Sequence, residues 1–479
     1  MDKKKFLWLA ITASAGTLAL LGGIPLGKTQ PFLLAGLLVL CAIGLYLMQV
    51  FLMADRNWLD LRAVFTGVWL GTIGLAALGL TDYQKVWLPK TWALMATAYL
   101  MLQIGVTLGL ALGPAVCRWL KALVGKAKLG RLRLRLQPNR LFGICVVTTV
   151  IGLGCFCANV AIKGYIPAFS DIVNAYVHFY TKFHIFAVAS VAAAPLCYYC
   201  IVTQKLSIFK KIILGVCLFY LVFAFPILVV SRGTFVVAAL GVSVCAYYLH
   251  GKRLTAFILC LVIIGAGYML ASELRNYTDA QLQIYFEPKE IELPGSSEDP
   301  TDASDATGEV DYDTDTPGKT FVLPPKVAFV YSYITVSHDN FNEAVMHVKE
   351  HSLGARQAAP FNAILRSQRI TQKAADTPYY QVTQFLNTVN VIGDFYYDFG
   401  GWGVAICMLL WSVVFGLIQA LYDRSKNIFS LLILGNTMAP VALCFFSAWM
   451  SVFSHWLIWG VALILAFAAY ITAIPKEQK

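Results

Sequence analysis

PFLLAGLLVLCAIGLYLMQVFLM, residues 31–53, is 23 positions without one charged side chain. A hydrocarbon core about 30 Å thick is crossed by about 20 helical residues, and in lipid only a helix satisfies its own backbone across such a run. Working outward, blocks of the same character recur at 6–24, 63–80, 92–117, 141–162, 184–203, 212–230, 234–249, 254–272, 401–422, 428–450 and 452–474, which with 31–53 predicts twelve spans. The whole 479-residue chain agrees, with 58% hydrophobic residues, 13% charged and a mean hydropathy of +0.67. These values describe a membrane solute rather than a soluble enzyme. The fold class predicted is an all-α polytopic membrane protein of about twelve transmembrane helices with one large external loop domain. Residues 1–272 carry nine helices, 273–400 form the loop, and 401–479 carry three. The run Asp2-Lys3-Lys4-Lys5 before an apolar block resembles a signal peptide start, but Gly22-Gly23-Ile24-Pro25 offers no small-x-small cleavage site, so the first helix is read as retained.

Lys and Arg resist translocation, so short loops rich in them lie on the cytoplasmic side. Alternate turns, counted from the Lys3 end, hold 22 basic residues, and the short turns between them hold six: Lys28, Lys85, Lys90, Lys163, Lys182 and Arg232. Both termini are therefore expected in the cytoplasm, with the large loop periplasmic or extracellular. The basic run from Arg118 to Arg140 lies between two spans and is read as a topogenic, lipid-contacting loop, not a nucleic-acid site. Segment 273–398 holds nine basic and 19 acidic residues, a net −10, against +21 from 28 basic and seven acidic residues elsewhere. All twelve cysteines fall in or beside predicted spans and none in the loop, so no disulfide framework is implied.

Within the loop, PGSSEDPTDASDATGEVDYDTDTPG at 294–318 has eight acids, three prolines and little to bury, and is expected to be disordered. Asp311, Asp313 and Asp315 lack the glycine and distal glutamate of a calcium loop, so no metal is assigned. Residues 320–384 regain apolar side chains and are expected to fold as a cap, with a helix over SHDNFNEAVMHVKEH starting from Ser337 or Asp339 as N-cap. The aromatic stretch 163–183 is expected along the membrane surface.

Four short stretches, taken in order, carry a family likeness: GYIPAFS at 164–170, VSRGTF at 230–235, YSYITVSHDNF at 331–341 and GDFYYDFGGWG at 393–403. Together they resemble the Wzy-type repeat-unit polymerases of bacterial O-antigen and capsule synthesis. The resemblance implies a GT-C-like glycosyltransferase of the bacterial cytoplasmic (inner) membrane, acting at its outer face. Its substrates would be an undecaprenyl-pyrophosphate-linked oligosaccharide donor and acceptor, with undecaprenyl pyrophosphate leaving. It implies no cofactor, and, besides membrane lipid, a chain-length regulator and a flippase as partners. A ligase using the same donor, or a lipid-linked oligosaccharide flippase or transporter, has a similar architecture. Transporters place ionisable groups near mid-membrane, whereas the span centres here carry essentially no charge.

The residues point the same way on their own chemistry. Arg232, between two apolar spans, is unfavourable unless it meets an anion, and a pyrophosphate at headgroup depth suits it; the other reading is an arginine reaching lipid phosphates. Arg275, just beyond the ninth span, joins it as a catalytic candidate. Arg366 and Arg369, three apart, are candidates for the same cationic site. His338 is the general-base candidate, oriented by Asp339 or Glu343, with a capping or surface histidine as the alternative. Asp394, Tyr396, Tyr397 and Asp398 suit carbohydrate, carboxylates accepting from hydroxyls and rings packing on sugar faces, unless they anchor the span in an aromatic belt.

Overall fold

The computed structural model describes residues 3–81, 83–126, 134–135, 137–170, 175–251, 255, 258, 262, 265, 291–292, 320–321, 324–362, 368–382, 388–471 and 474–475. Eight helices there are long and apolar enough to cross a membrane: Lys4–Thr29, Pro31–Met53, Pro89–Trp119, Pro138–Lys163, Lys182–Thr203, Ile208–Leu228, Arg232–Leu249 and Gly393–Ser425. The chain is a helical, polytopic membrane protein.

Of the twelve expected spans, eight correspond to these helices and three to shorter apolar helices, Leu61–Ala76, Ile428–Ala442 and Phe453–Ala468, among the described residues. The ninth expected span, 254–272, and the acidic stretch 294–318 lie almost wholly or wholly outside the described residues. Two of the short helices have physical reasons. Leu61–Ala76 has 11 of its 16 residues buried, so protein rather than lipid sets its length. Ile428–Ala442 contains Pro440, which removes a ladder hydrogen bond, and the chain then runs in turns to 452. Those turns are enclosed by protein: Val391 N–H donates to the Cys444 carbonyl at 2.8 Å and Trp449 Nε1 to that of Leu443 at 3.0 Å.

The tightest helix pair joins Pro89–Lys126 to Gly393–Ser425. A Cβ on Gly109 would fall 2.2 Å from the Val413 carbonyl, and one on Gly416 equally close to that of Val106. Such small-residue faces let membrane helices approach backbone to backbone. Beside this pair, Gln49, Thr66 and Gln103 close a buried triangle of hydrogen bonds at 2.9–3.1 Å, and the π-helical turn Gln49–Met53 carries the first of them.

Contacts sort the turns into two ends. One end joins Lys5 to Asp55, Asn57 to Tyr248, Lys210 to Asn139 and Tyr198 to His250. The other joins Lys85 to Glu343, Lys90 to Tyr396 and Arg232 to Tyr333. These groups are the ones the basic-residue alternation separates. The first is called here the basic end, the second the loop end.

The loop end contains helix Pro325–His347, which differs from the expected cap. It begins at Pro325 with Pro324 as N-cap, so Ser337 and Asp339 sit in mid-helix, and every residue from Thr335 to Val345 is buried. Its string of Ser, His, Asp, Asn and Glu reads as a solvated surface in sequence. In the fold each of these groups meets a partner from another element, so the helix packs into the bundle.

Candidate functional site

The polar cluster at the loop end is built on helix Pro325–His347. His338 is fully buried, edge-on to Trp69 with ring centroids 5.4 Å apart. Its Nε2 lies 3.0 Å from Thr72 Oγ1 and its Nδ1 3.1 Å from Asn390 Nδ2. Thr72 Oγ1 also donates to the Val68 carbonyl at 2.8 Å, so the imidazole most simply donates from Nε2 and accepts at Nδ1. Burial lowers its pKa to about 3, and the ring is neutral. The expected general base is thus enclosed and bonded at both nitrogens; in this arrangement it joins helices Leu61–Ala76 and Pro325–His347 to residue 390 rather than facing a sugar hydroxyl.

The neighbouring Asp339 has the more responsive chemistry. Its Oδ1 accepts from Trp87 Nε1 at 2.7 Å and its Oδ2 from Gln84 Nε2 at 3.1 Å. Burial pushes this carboxyl up to about 7, against the two hydrogen bonds that favour the carboxylate. One turn on, Glu343 accepts from Lys85 Nζ at 3.1 Å and lies 3.4 Å from His347 Nδ1. The loop preceding Pro89 is tied to the same helix once more, where Asn342 Oδ1 accepts from Leu88 N–H at 2.9 Å and Thr91 Oγ1 at 2.7 Å.

Arg232 is the first residue of helix Arg232–Leu249, whose N-cap Ser231 accepts from Thr234 N–H. Val230, two residues earlier, holds a left-handed φ of 52°, a conformation strained for a β-branched side chain. That turn brings the guanidinium onto the Pro325–His347 helix: Nη2 donates to Tyr333 Oη at 3.0 Å, and the group lies 4.5 Å from the Tyr333 ring centroid and 5.2 Å from that of Phe329. Two aromatic faces therefore fix the plane of a charge at the span boundary.

Asp394, Tyr396, Tyr397 and Asp398 come together, but facing inward. Asp398 accepts from the backbone N–H of Arg356 and Gln357 at 3.0 and 2.9 Å and from Ser352 Oγ at 2.5 Å. Asp394 accepts from Tyr379 Oη at 2.7 Å and lies 3.9 Å from Arg356 Nη1. Tyr397 Oη accepts from Tyr380 N–H at 2.8 Å, and Tyr396 Oη from Lys90 Nζ at 2.9 Å. All four are buried; Asp394, Tyr397 and Asp398 form a latch that fastens residues 352–357 and 379–380 to the start of the Gly393–Ser425 helix. Its centre is Arg356, its guanidinium 3.7 and 4.3 Å from the Tyr379 and Tyr397 ring centroids. Sequence reasoning passed over Arg356, and also Asn390, Trp87 and Tyr333; only the aromatic and amide residues around the quoted stretches hinted at them.

Arg275 and Arg366 lie outside the described residues, and Arg369 is placed only as part of the backbone of helix Gln368–Ala375. Of the four arginines expected in the cationic site, only the Arg232 side chain lies among the described residues. Three of the four stretches quoted above nevertheless touch one another, and the fourth packs just before the second of them. Pro167–Phe169 packs on Phe225–Leu228, which leads into Arg232; Arg232 meets Tyr333; and Phe341 meets Tyr396 edge-on at 5.7 Å. No family model, curated protein or solved structure matches the chain.

Proposed function

We propose that this protein is a GT-C-like membrane glycosyltransferase, a polymerase that joins polyprenyl-pyrophosphate-linked oligosaccharide repeat units at the outer face of a bacterial cytoplasmic membrane. The observation that carries this reading is that three of the four polymerase-like stretches, 230–235, 331–341 and 393–403, are joined through Arg232 and the Pro325–His347 helix, with the fourth, 164–170, packed on the Phe225–Leu228 turn that precedes Arg232. In the proposed reaction an acceptor sugar hydroxyl bonds to the anomeric carbon of the donor chain. The bond from that carbon to the pyrophosphate oxygen breaks, its electron pair leaves with the polyprenyl pyrophosphate, and the hydroxyl proton is released. Arg232, its plane held by Tyr333 and Phe329, neutralises the charge that grows on the leaving diphosphate. The basic end faces the cytosol in this reading, because its short turns hold most of the lysine and arginine. His338 positions the helix, and Asp339 is the nearby group that titrates near neutrality.

The test supplies purified protein with lipid-linked repeats alone. Wild type should give a ladder of lengthened chains on a polysaccharide gel, and Arg232→Ala, folded and membrane-inserted, should leave single repeats. Normal ladders from Arg232→Ala would remove the clamp. Growth only when a separate lipid or protein acceptor is added would replace the polymerase by a ligase.

A further inference from the structure

A cleft of about 460 Å³ opens at the loop end between the turn at 27–32 and the segment 76–87. Lys28 and Lys85 line it together with Gln84, Trp87 and Trp92, and Phe32 stands on its apolar side. Two of the six basic residues in the short turns of this end thus share one cleft, although membrane insertion disfavours placing cations there. The floor is built to hold its shape. A Cβ on Gly23 would fall 2.2 Å from the Trp92 ring, so only glycine lets that indole seat on the first helix; Trp87 lies against it with centroids 4.8 Å apart and donates to Asp339. From the mouth, exposed Ile24, Phe32 and Leu33 offer an apolar track beside the first two helices.

We infer that this cleft holds the diphosphate of a polyprenyl lipid, the acceptor in the reaction proposed above, with Lys28 and Lys85 meeting its oxygens and the isoprenoid chain on Ile24, Phe32 and Leu33. The inference rests on the polymerase reading, because joining two lipid-linked units requires places for two diphosphates and Arg232 serves one. The geometry fits a pair of sites on one helix: Arg232 reaches it at Tyr333 and Lys85 at Glu343, ten positions on, about 15 Å along the axis. Glu343 holds Lys85 at the rim at 3.1 Å, and Lys85, its side chain 60% exposed, is free to turn toward the cleft.

Isothermal titration of the full chain in phosphatidylcholine nanodiscs with farnesyl diphosphate reads the sites by stoichiometry. Two sites are expected in wild type. Lys28→Ala with Lys85→Ala should weaken one by at least about tenfold, and Arg232→Ala the other. Both lysines are exposed, so folding should survive; Lys28→Glu alone, by charge reversal, gives the same answer if the double variant melts early. Two unchanged sites in the lysine variants, or a single wild-type site lost with Arg232→Ala, would overturn the cleft and leave the polymerase reading intact. Loss of the lysine-dependent site when phosphatidylglycerol is added to the discs would make it a general headgroup site and overturn the acceptor assignment. Lysine-dependent binding in a protein that makes no polymer from lipid-linked repeats would instead sink the polymerase reading while the diphosphate site stood.

Discussion

At the loop end exposed lysines such as Lys28 and Lys85 surround a set of buried charged groups, each with a named partner across the fold: Arg232 on Tyr333, Asp339 under Trp87 and Gln84, Arg356 between Tyr379 and Tyr397, Asp398 on the backbone of 356–357. At the basic end the pair Lys5–Asp55 lies in the open, its side chains 38% and 84% exposed, and the cross-helix bonds are largely neutral, as between Asn57 and Tyr248 or Trp58 and Tyr247. The buried Arg62–Asp60 pair is local, two residues apart at the start of a helix that Asp60 caps. The difference separates two uses of charge. Exposed cations require only water to persist, and most of them gather at the basic end; the buried charges gather at the loop end, and burial of a charge persists only where geometry compensates its lost hydration. Function is therefore sought where charge is scarce and partnered.

The sharpest way to break this comparison is Arg232→Ala. Removing one charge-stabilising donor from a leaving-group site is expected to lower chain extension by about 10²–10³-fold, measured as product per time in reconstituted membranes. Tyr333→Phe, which keeps the ring under the guanidinium and removes only the hydroxyl, should cost far less. Equal losses from Arg232→Ala and from a basic-end Lys210→Ala would show that charge at the two ends is used alike.

His338 gives the next largest effect, and on stability. His338→Ala leaves Thr72 and Asn390 facing a hole and is expected to cost about 3 kcal/mol, read as a lower melting temperature in detergent. His338→Gln, which can still meet both neighbours, should recover most of that stability and most of the activity. A catalytic base behaves otherwise: the glutamine variant would fold well and stay inactive, and that outcome would return His338 to the role its sequence context suggests.

How much of this was legible beforehand follows from what each signal measures. Hydropathy averages over about 20 residues, so it found the eight long apolar helices and the three shorter ones alike, because a core helix such as Leu61–Ala76 is as apolar as one that faces lipid. Pro440 was the visible mark of the break that follows it. The alternation of basic residues separated the two ends, since that signal sums over many loops. The site was legible only as an inventory. His338, Asp394 and Asp398 have the residue types of catalysis and sugar binding, and sequence alone does not say whether such a group faces a substrate or, as His338 and Asp398 do, a hydroxyl 266 or a backbone N–H 42 residues away. Arg356 was missed for the same reason: its partners Tyr379, Asp394 and Tyr397 are distant in sequence and none marks it in advance.

Asp339 supplies a pH test of moderate size. Its folded pKa, about 7, is above its ordinary value of 3.8, so the folded state holds a proton that the unfolded chain releases, and the stability this contributes is lost as pH rises through about 7. His338 works in the opposite sense, its folded pKa of about 3 below 6.5, so its contribution is lost as pH falls below 6.5. Comparing wild type with Asp339→Asn cancels the histidine. Between pH 5 and 8 wild type should lose about 2 kcal/mol more than the variant, seen as a steeper fall in melting temperature. Parallel curves would place water or a compensating cation at Asp339 and remove its burial from the comparison.

The smallest effect is expected at the basic end, and it carries the comparison as much as the largest. Lys5 and Asp55 are joined at 3.1 Å, but both are solvated, so the attraction is screened and the ordering of two side chains opposes it. Lys5→Ala should shift stability by under about 1 kcal/mol and leave chain extension unchanged, with the difference shrinking further as salt is raised. In the orientation proposed above, what the substitution should disturb is insertion, because it removes one of the positive charges expected to keep the N-terminus in the cytosol; cysteine labelling from either face of intact cells reads that directly. A stability loss of several kcal/mol from Lys5→Ala would mean that the basic end, too, is held by particular ion pairs, and the division of charge between sidedness and site would have to be given up.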